Sequence, residues 1–248
     1  MKGLFARPAS LVSAEPDPEG ALWAVGDVHG WLALAQAIEA QVRARDPVAT
    51  IVFLGDVIDR GPDSRGMIDW LLAPPPPGIT RRCLLGNHED MALRFLARPA
   101  EAAAWLRFGG RETLASYGVT ADATEEPRAL ASAFAAALPE EHRAFLAGLP
   151  VGLAMGRYVL THAGAAAEVP LARQNRAQLV WERHAAIADL LPPRDLGDRI
   201  VVHGHVPVPG PLRLGWRINV DTGAYASGRL TAVRLPRDGV PEFIDATM

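Results

Sequence analysis

Short apolar runs alternate with amphipathic stretches along the first hundred positions. Ala21 to Val25 and Ile51 to Leu54 are apolar throughout, the pattern of strands buried on both faces. Ile79 to Leu85 reads as a third strand, apolar at its end from Cys83 to Leu85. Between the first two, Trp31 to Arg45 places Leu32, Ala35 and Ile38 on one helical face. Pro62-Asp63-Ser64 opens a second helix that runs to about Leu72, where the Pro74 to Pro77 tract ends it. Glu89 to Ala97 predicts a third helix. Three strand–helix units in succession imply right-handed crossovers and a largely parallel sheet.

The pattern then changes. Residues 99–149 are rich in alanine and read as several short helices, an insertion over one edge of the candidate site and not a separate domain. Val151 to Ala154 and Tyr158 to Thr161, joined by Met155-Gly156, predict a hairpin that ends at His162. Arg199 to Val202 is a further strand, ending at His203-Gly204-His205. The tail from Arg217 to Ile244 alternates short apolar runs with Gly and Pro, as antiparallel strands of a second sheet would. Residues 1–20, with Pro8, Pro16 and Pro18, show no period and are expected to be irregular, leaving 21–248 as a single domain.

Composition narrows the classes. At 248 residues and 49% hydrophobic the chain has ample material for a core. The net charge of −3, with arginines dispersed instead of gathered into a stripe, argues against a nucleic-acid partner. Cys83 is the sole cysteine, which excludes an internal disulfide and fits a reducing compartment. No apolar run reaches the length of a membrane span, so a cytoplasmic protein without a membrane partner is expected.

The chemistry sits at the strand ends. Gly26-Asp27-Val28-His29-Gly30, Gly55-Asp56-Val57-Ile58-Asp59-Arg60-Gly61 and Gly86-Asn87-His88-Glu89 follow the three strands, and His162-Ala163-Gly164 and His203-Gly204-His205 follow later ones. In an open α/β sheet, ligands bind at the carboxyl ends of the strands. Asp, His and Asn supply the oxygen and nitrogen donors that hold divalent metals, and a carboxylate can bridge two ions where one imidazole nitrogen cannot. Taken singly, Asp27 reads better as a helix cap, and Asp59-Arg60 would be a surface ion pair or a helix N-terminal acid. It is the repetition that favours a metal site. Composition does not separate His203 from His205.

The five motifs in this order resemble those of the calcineurin-like metallophosphoesterases, specifically the phosphoprotein phosphatase family. The resemblance spans about Leu22 to Ala232. Leu179-Val180-Trp181-Glu182-Arg183 and Asn219-Val220-Asp221-Thr222-Gly223-Ala224 are similar to the short bacterial and phage serine/threonine phosphatases. The resemblance implies a four-layer α-β-β-α sandwich of mixed sheets flanked by helices, an α/β fold, with the helical insertion added. It further implies two divalent ions, manganese in vitro with iron or zinc as alternatives. Asp27, His29 and Asp56 would hold the first, and Asp56, Asn87, His162 and His205 the second; His205 is chosen because glycine immediately precedes the family's ligand.

By the same resemblance, Arg60 and Arg183 bind substrate phosphate, and His88, supported by Asp59, protonates the leaving group after direct attack by a metal-bridging hydroxide. The expected substrate is a phosphoprotein carrying phosphoserine or phosphothreonine, or a small phosphorylated molecule. Arg60-Gly61-Pro62-Asp63-Ser64 also resembles the diadenosine tetraphosphatases, which makes a dinucleoside polyphosphate the alternative. Asp59, where those relatives often carry alanine, tilts the choice toward the phosphatases.

Overall fold

The computed structural model of the chain describes residues 10–120, 126–183 and 191–248. Strand β1 (Val12–Glu15) precedes the three expected units: β2 (Ala21–Val25) with helix α1 (Leu32–Arg45), β3 (Ala49–Phe53) with α2 (Ser64–Leu72), and β4 (Ile79–Cys83) with α3 (Asn87–Ala97). A 3-10 turn at Ala103–Arg107 and helices α4 (Gly110–Ser116), α5 (Pro127–Ala137) and α6 (Glu140–Gly148) make up the insertion. The chain continues through β5 (Gly152–Met155), β6 (Tyr158–Thr161), α7 (Arg176–Val180), β7 (Ile200–His203), β8 (Leu212–Leu214), β9 (Arg217–Asn219), α8 (Ala224–Ser227), β10 (Arg229–Leu235) and β11 (Glu242–Thr247).

These strands form two sheets, ordered β11-β10-β2-β3-β4 and β1-β5-β6-β7-β9-β8. The crossover strands β2, β3 and β4 are parallel, as their apolar runs and intervening helices require. Alternation sorts their side chains. Leu22, Ala24 and Val52 face the other sheet and meet Leu160, Val202 and Ile218 in the sandwich interior. Trp23, Val25, Ile51 and Phe53 point outward and are covered by α1, α2 and α3 through Ile38, Ile68 and Phe95. On the far side, Val159 and Val201 of the second sheet lie under Leu179, Val180 and Leu196. Both sheets are thus buried on both faces, giving the helix–sheet–sheet–helix layering.

Two expectations change. Within the stretch expected to be irregular, Val12–Glu15 forms a strand parallel to β5, while residues 1–9 lie outside the described residues. The C-terminal strands β10 and β11 do not join a second sheet; they extend the first, with β10 antiparallel to β2. Periodicity tells which face of a strand is buried, but not which free edge the strand will pair with.

Helix α3 begins at Asn87, two residues earlier than its apolar pattern indicates. The reason is a one-sided cap, in which Glu89 in the first turn accepts the backbone N–H of Gly86 at 2.9 Å. Asp63 caps α2 by accepting from the Gly66 N–H at 2.8 Å. No helix among the described residues is long and apolar enough to cross a membrane.

Candidate metal centre and active site

The carboxyl ends of β2, β3, β6 and β7, with the first turn of α3, bring the motif residues together. His29, Asp56 and His88 form one group whose potential ligand atoms lie within 4.8 Å of one another, and Asp56, His162 and His205 form a second. Asp56 belongs to both, the position a bridging carboxylate would occupy. Asn87 joins the second group, its Oδ1 lying 3.0 Å from His162 Nε2. Asp27 reaches the same region by accepting the His205 backbone N–H, 3.2 Å from each carboxylate oxygen. His203 lies in neither group. It is fully buried, with Nδ1 3.0 Å from the Gly204 carbonyl.

Backbone geometry shows how tightly this region is held. Six described non-glycine residues have positive φ, and five of them are His29, Asp56, Asp59, Arg60 and His205. Such conformations cost about 1–3 kcal/mol each and persist only where the surroundings impose them. Two glycines are needed for close approach. A Cβ on Gly204 would lie 2.0 Å from Asp27 Oδ1, and one on Gly86 would lie 2.2 Å from Asp56 Oδ1.

Glu89 supplies much of that constraint. Fully buried, its carboxylate accepts the N–H groups of Asp56 at 2.9 Å, Val57 at 2.8 Å, Ile58 at 3.2 Å and Gly86 at 2.9 Å. Burial and the neighbouring Asp56 charge push its pKa up to about 7, against the pull of those donors.

The histidines divide by what holds their outer nitrogen. His29 Nδ1 meets the Ile58 carbonyl at 2.9 Å, His162 Nδ1 meets the Leu54 carbonyl at 3.0 Å, and His205 Nε2 meets the Trp181 carbonyl at 3.1 Å. A carbonyl only accepts, so each of these nitrogens carries the proton and the other ring nitrogen turns toward the acidic centre. For His29 and His162 that inner atom is Nε2; for His205 it is Nδ1. His88 differs: its Nδ1 pairs with the Asp59 carboxylate at 2.6 Å.

The electrostatics follow the same division. Burial pushes the pKa values of His29 and His205 down, the latter to about 3, keeping both neutral. Burial also opposes charge on His88, but Asp56 and Asp59 overcome it and hold its pKa above the ordinary value. His162 is likewise desolvated, yet Asp56, Asp27 and Glu89 drive it up to about 10. Asp27 is pushed well up by burial and then by Asp221, and Asp221 is raised to about 6 by burial. Asp27, Asp56, Glu89 and Asp221 packed around neutral His29 and His205, with His162 holding a proton that a cation would displace, make a donor set that fits divalent cations.

Above the centre opens a cavity of about 220 Å³, lined by the motif residues together with Arg60, Met91, Phe108, Trp181 and Arg183. The Arg60 guanidinium contacts His29 Nε2 at 3.0 Å and His88 Nε2 at 3.1 Å and stacks 4.1 Å from the Tyr225 ring. Arg183 stands exposed at the rim. A larger cavity of about 430 Å³ lies at the opposite end of the sheets near Asp17, Arg157 and Tyr158, remote from these donors.

This donor set has a counterpart in known proteins, for the calcineurin-like phosphoesterase family profile matches residues 21–234. The chain belongs to that family. Its members depend on a dinuclear metal centre, so the phosphoesterase fold and the clustered donors agree. A bis(5'-nucleosyl)-tetraphosphatase of Geobacillus thermodenitrificans, PrpE [asymmetrical], is 27% identical over 233 residues, spanning 86% of this chain and 89% of its own. Serine/threonine-protein phosphatase 1 of Salmonella typhimurium is 34% identical over 94 residues, only 36% of this chain and 38% of that one. Among solved structures, a candidate diadenosine tetraphosphatase matches with TM-score 0.65 at 21% identity, covering 96% of this chain and 98% of that one. A cold-active protein-tyrosine phosphatase of a Shewanella species matches at 0.60 and 16%, covering 93% and 81%. At such identities the solved structures speak for the fold alone.

All ten sequence-selected residues of this phosphoesterase line the cavity or its immediate wall: Asp27, His29, Asp56, Asn87, His88, His205, Arg60 and Arg183 directly, with Asp59 and His162 buried behind them. Sequence reasoning gave no role to Glu89, although it closes the Gly86-Asn87-His88-Glu89 motif and stands as an acidic residue in the first turn of a helix. It also passed over Asp90. That carboxylate accepts from Arg94 at 2.8 Å, from Trp181 Nε1 at 2.7 Å and from Arg176, anchoring the segment that carries Arg183. Trp105 and Thr113, within the insertion, contact Asp59 and gave no signal at all.

Proposed function

We propose that the chain hydrolyses a phosphate–oxygen bond with two divalent ions, and that its substrates are dinucleoside tetraphosphates cleaved asymmetrically. Asp27, His29 and Asp56 would hold one ion; Asp56, Asn87, His162 and His205 would hold the other, with manganese our choice in vitro. When bound, the ions supply charge for the phosphate oxygens and lower the pKa of the attacking water.

The observation that carries the reading is the division among the histidines. Three are tied by carbonyls, which turns the other ring nitrogen inward, as a ligand requires; His29 and His205 are neutral there, and His162 gives up its inner proton when a cation binds. His88 is tied by a carboxylate, which stabilises its charged form, as an acid requires. With Arg60 turned from His88 onto the substrate phosphate, His88 Nε2 would take up a proton from water. As the water oxygen bonds to phosphorus and the bond to the leaving oxygen breaks, it would pass that proton to the leaving oxygen. Arg60 and Arg183 bind the non-bridging oxygens with planar donor forks. For the nucleotide substrate, support comes from relatives named for that activity that match along almost the whole chain. The exposed Phe108 ring beside the arginines suits a planar base.

Phosphomonoesters, including phosphoserine in proteins, are the second reading, and the His88–Asp59 pair favours it. A serine alkoxide is a far more basic leaving group than a nucleoside triphosphate and gains more from an acid. Turnover of diadenosine tetraphosphate and of a phosphoserine peptide, at equal concentration with manganese, separates the two. Faster release of ATP and AMP than of peptide phosphate is expected; the reverse order overturns the nucleotide assignment.

A further inference from the structure

The Asp59 carboxylate, buried to 0% exposure, is held by two side chains from the helical insertion. Trp105 Nε1 donates to Oδ2 at 2.7 Å, beside the His88 contact on the same oxygen. The Thr113 hydroxyl donates to Oδ1 at 2.5 Å. Thr113 Oγ1 also accepts the Asp59 backbone N–H at 3.0 Å, and Ser64 Oγ accepts it at 2.9 Å. Asp59 sits at φ 71°, so this double capture of its N–H holds a backbone turn that its side chain disfavours.

The donors are themselves fixed. A Cβ on Gly110 would lie 2.5 Å from the Trp105 ring, so the backbone packs directly on the indole face. The rings of Phe95 and Phe134 lie 5.0 Å and 5.7 Å from it. Gly109, at φ 111°, presents its carbonyl to the Arg60 N–H at 3.3 Å. The insertion is therefore bolted to the loop that carries Asp59 and Arg60.

We propose that Trp105 and Thr113 are positioning residues for proton delivery: they fix the direction and the accepting character of the Asp59 carboxylate, and through it the ring of His88. This assigns the insertion a catalytic purpose, to lock the acid. Burial pushes the Asp59 pKa up and the three donors pull it back, while their directions leave the carboxylate one orientation in which all are satisfied. The inference rests on the acid role of His88 given above.

Leaving-group dependence tests both separately. Trp105→Phe and Thr113→Val remove one donor each while keeping most of the volume, and Thr113→Ser restores the hydroxyl. Each is assayed with manganese on p-nitrophenyl phosphate and on phenyl phosphate, whose leaving group is more basic, with His88→Ala as reference and thermal melting to confirm folding. His88→Ala is expected to lose on the order of a hundredfold or more on phenyl phosphate and much less on the nitrophenyl ester. Trp105→Phe and Thr113→Val should show the same asymmetry at roughly tenfold, and Thr113→Ser should recover it.

Equal losses on both substrates by His88→Ala would overturn the acid reading. A steep leaving-group effect for His88→Ala without one for folded Trp105→Phe or Thr113→Val would overturn the positioning role alone. If Thr113→Val and Trp105→Phe fail to fold, Thr113→Ala removes the same donor without placing a methyl against the Asp59 N–H and decides by comparison with Thr113→Ser. A leaving-group asymmetry in the alanine variant alone supports the positioning role, and equal ratios in the two overturn it.

Discussion

Glu89 Oε2 accepts the Asp56 backbone N–H at 2.9 Å, joining the third motif to the second at the residue shared by both donor groups. Its other oxygen takes Val57 and Ile58. Whichever way the amide of Glu89→Gln is turned, its NH2 meets two N–H donors. That loss is expected to cost about 2–4 kcal/mol, since each unpaired buried donor costs about 1–3 kcal/mol. Denaturant unfolding measures it; wild-type stability would mean that the loop holds Asp56 without Glu89.

The last histidine cluster allows a direct comparison. His205→Asn is expected to weaken binding of one ion by at least about tenfold, because it removes both the inward nitrogen and the contact to the Trp181 carbonyl. His203→Asn should retain both ions and lower only the melting temperature. Elemental analysis after dialysis distinguishes them, and loss of metal from the His203 variant would reverse the ligand choice.

Metal binding and pH are linked through the acidic groups. Asp221 is raised to about 6 and Asp27 is raised well above its ordinary value. Below the ordinary carboxylate pKa both folded and unfolded chains hold these protons, and nothing is lost. As pH rises toward about 6 the unfolded chain releases the Asp221 proton while the folded chain keeps it, so the ion-free protein loses stability through that window. Bound cations favour the ionised carboxylates and displace the His162 proton. The rise in melting temperature on adding manganese is therefore expected to be larger at about pH 7.5 than at about pH 5. A pH-independent rise would contradict the linkage.

Asp90 anchors the rim. Its removal in Asp90→Ala frees Trp181 and Arg176, and with them the placement of Arg183. The expected result is a KM for phosphate substrates raised about tenfold, with kcat and metal content little changed. A matched fall in kcat with unchanged KM would show that this segment does not bind substrate.

Sequence periodicity alone determined the two parallel crossovers that join β2, β3 and β4, the hairpin before His162 and the placing of every motif at a strand end. Those features arise from local rules: apolar runs bury on both faces, prolines and caps end helices, and strand ends face one way in a parallel sheet. What tertiary structure decided is which atoms face which. The roles of His29, His88 and His205 depend on whether a carbonyl or a carboxylate meets the outer nitrogen, and each of those partners except Asp59 is backbone, invisible to residue type. Trp105 lies 46 residues from the carboxylate it serves and Thr113 lies 54, so no spacing rule links them to Asp59. Strand β10 paired with β2, and β11 with β10, because the free edge of β2 needed backbone partners, a demand that only the assembled sheet presents.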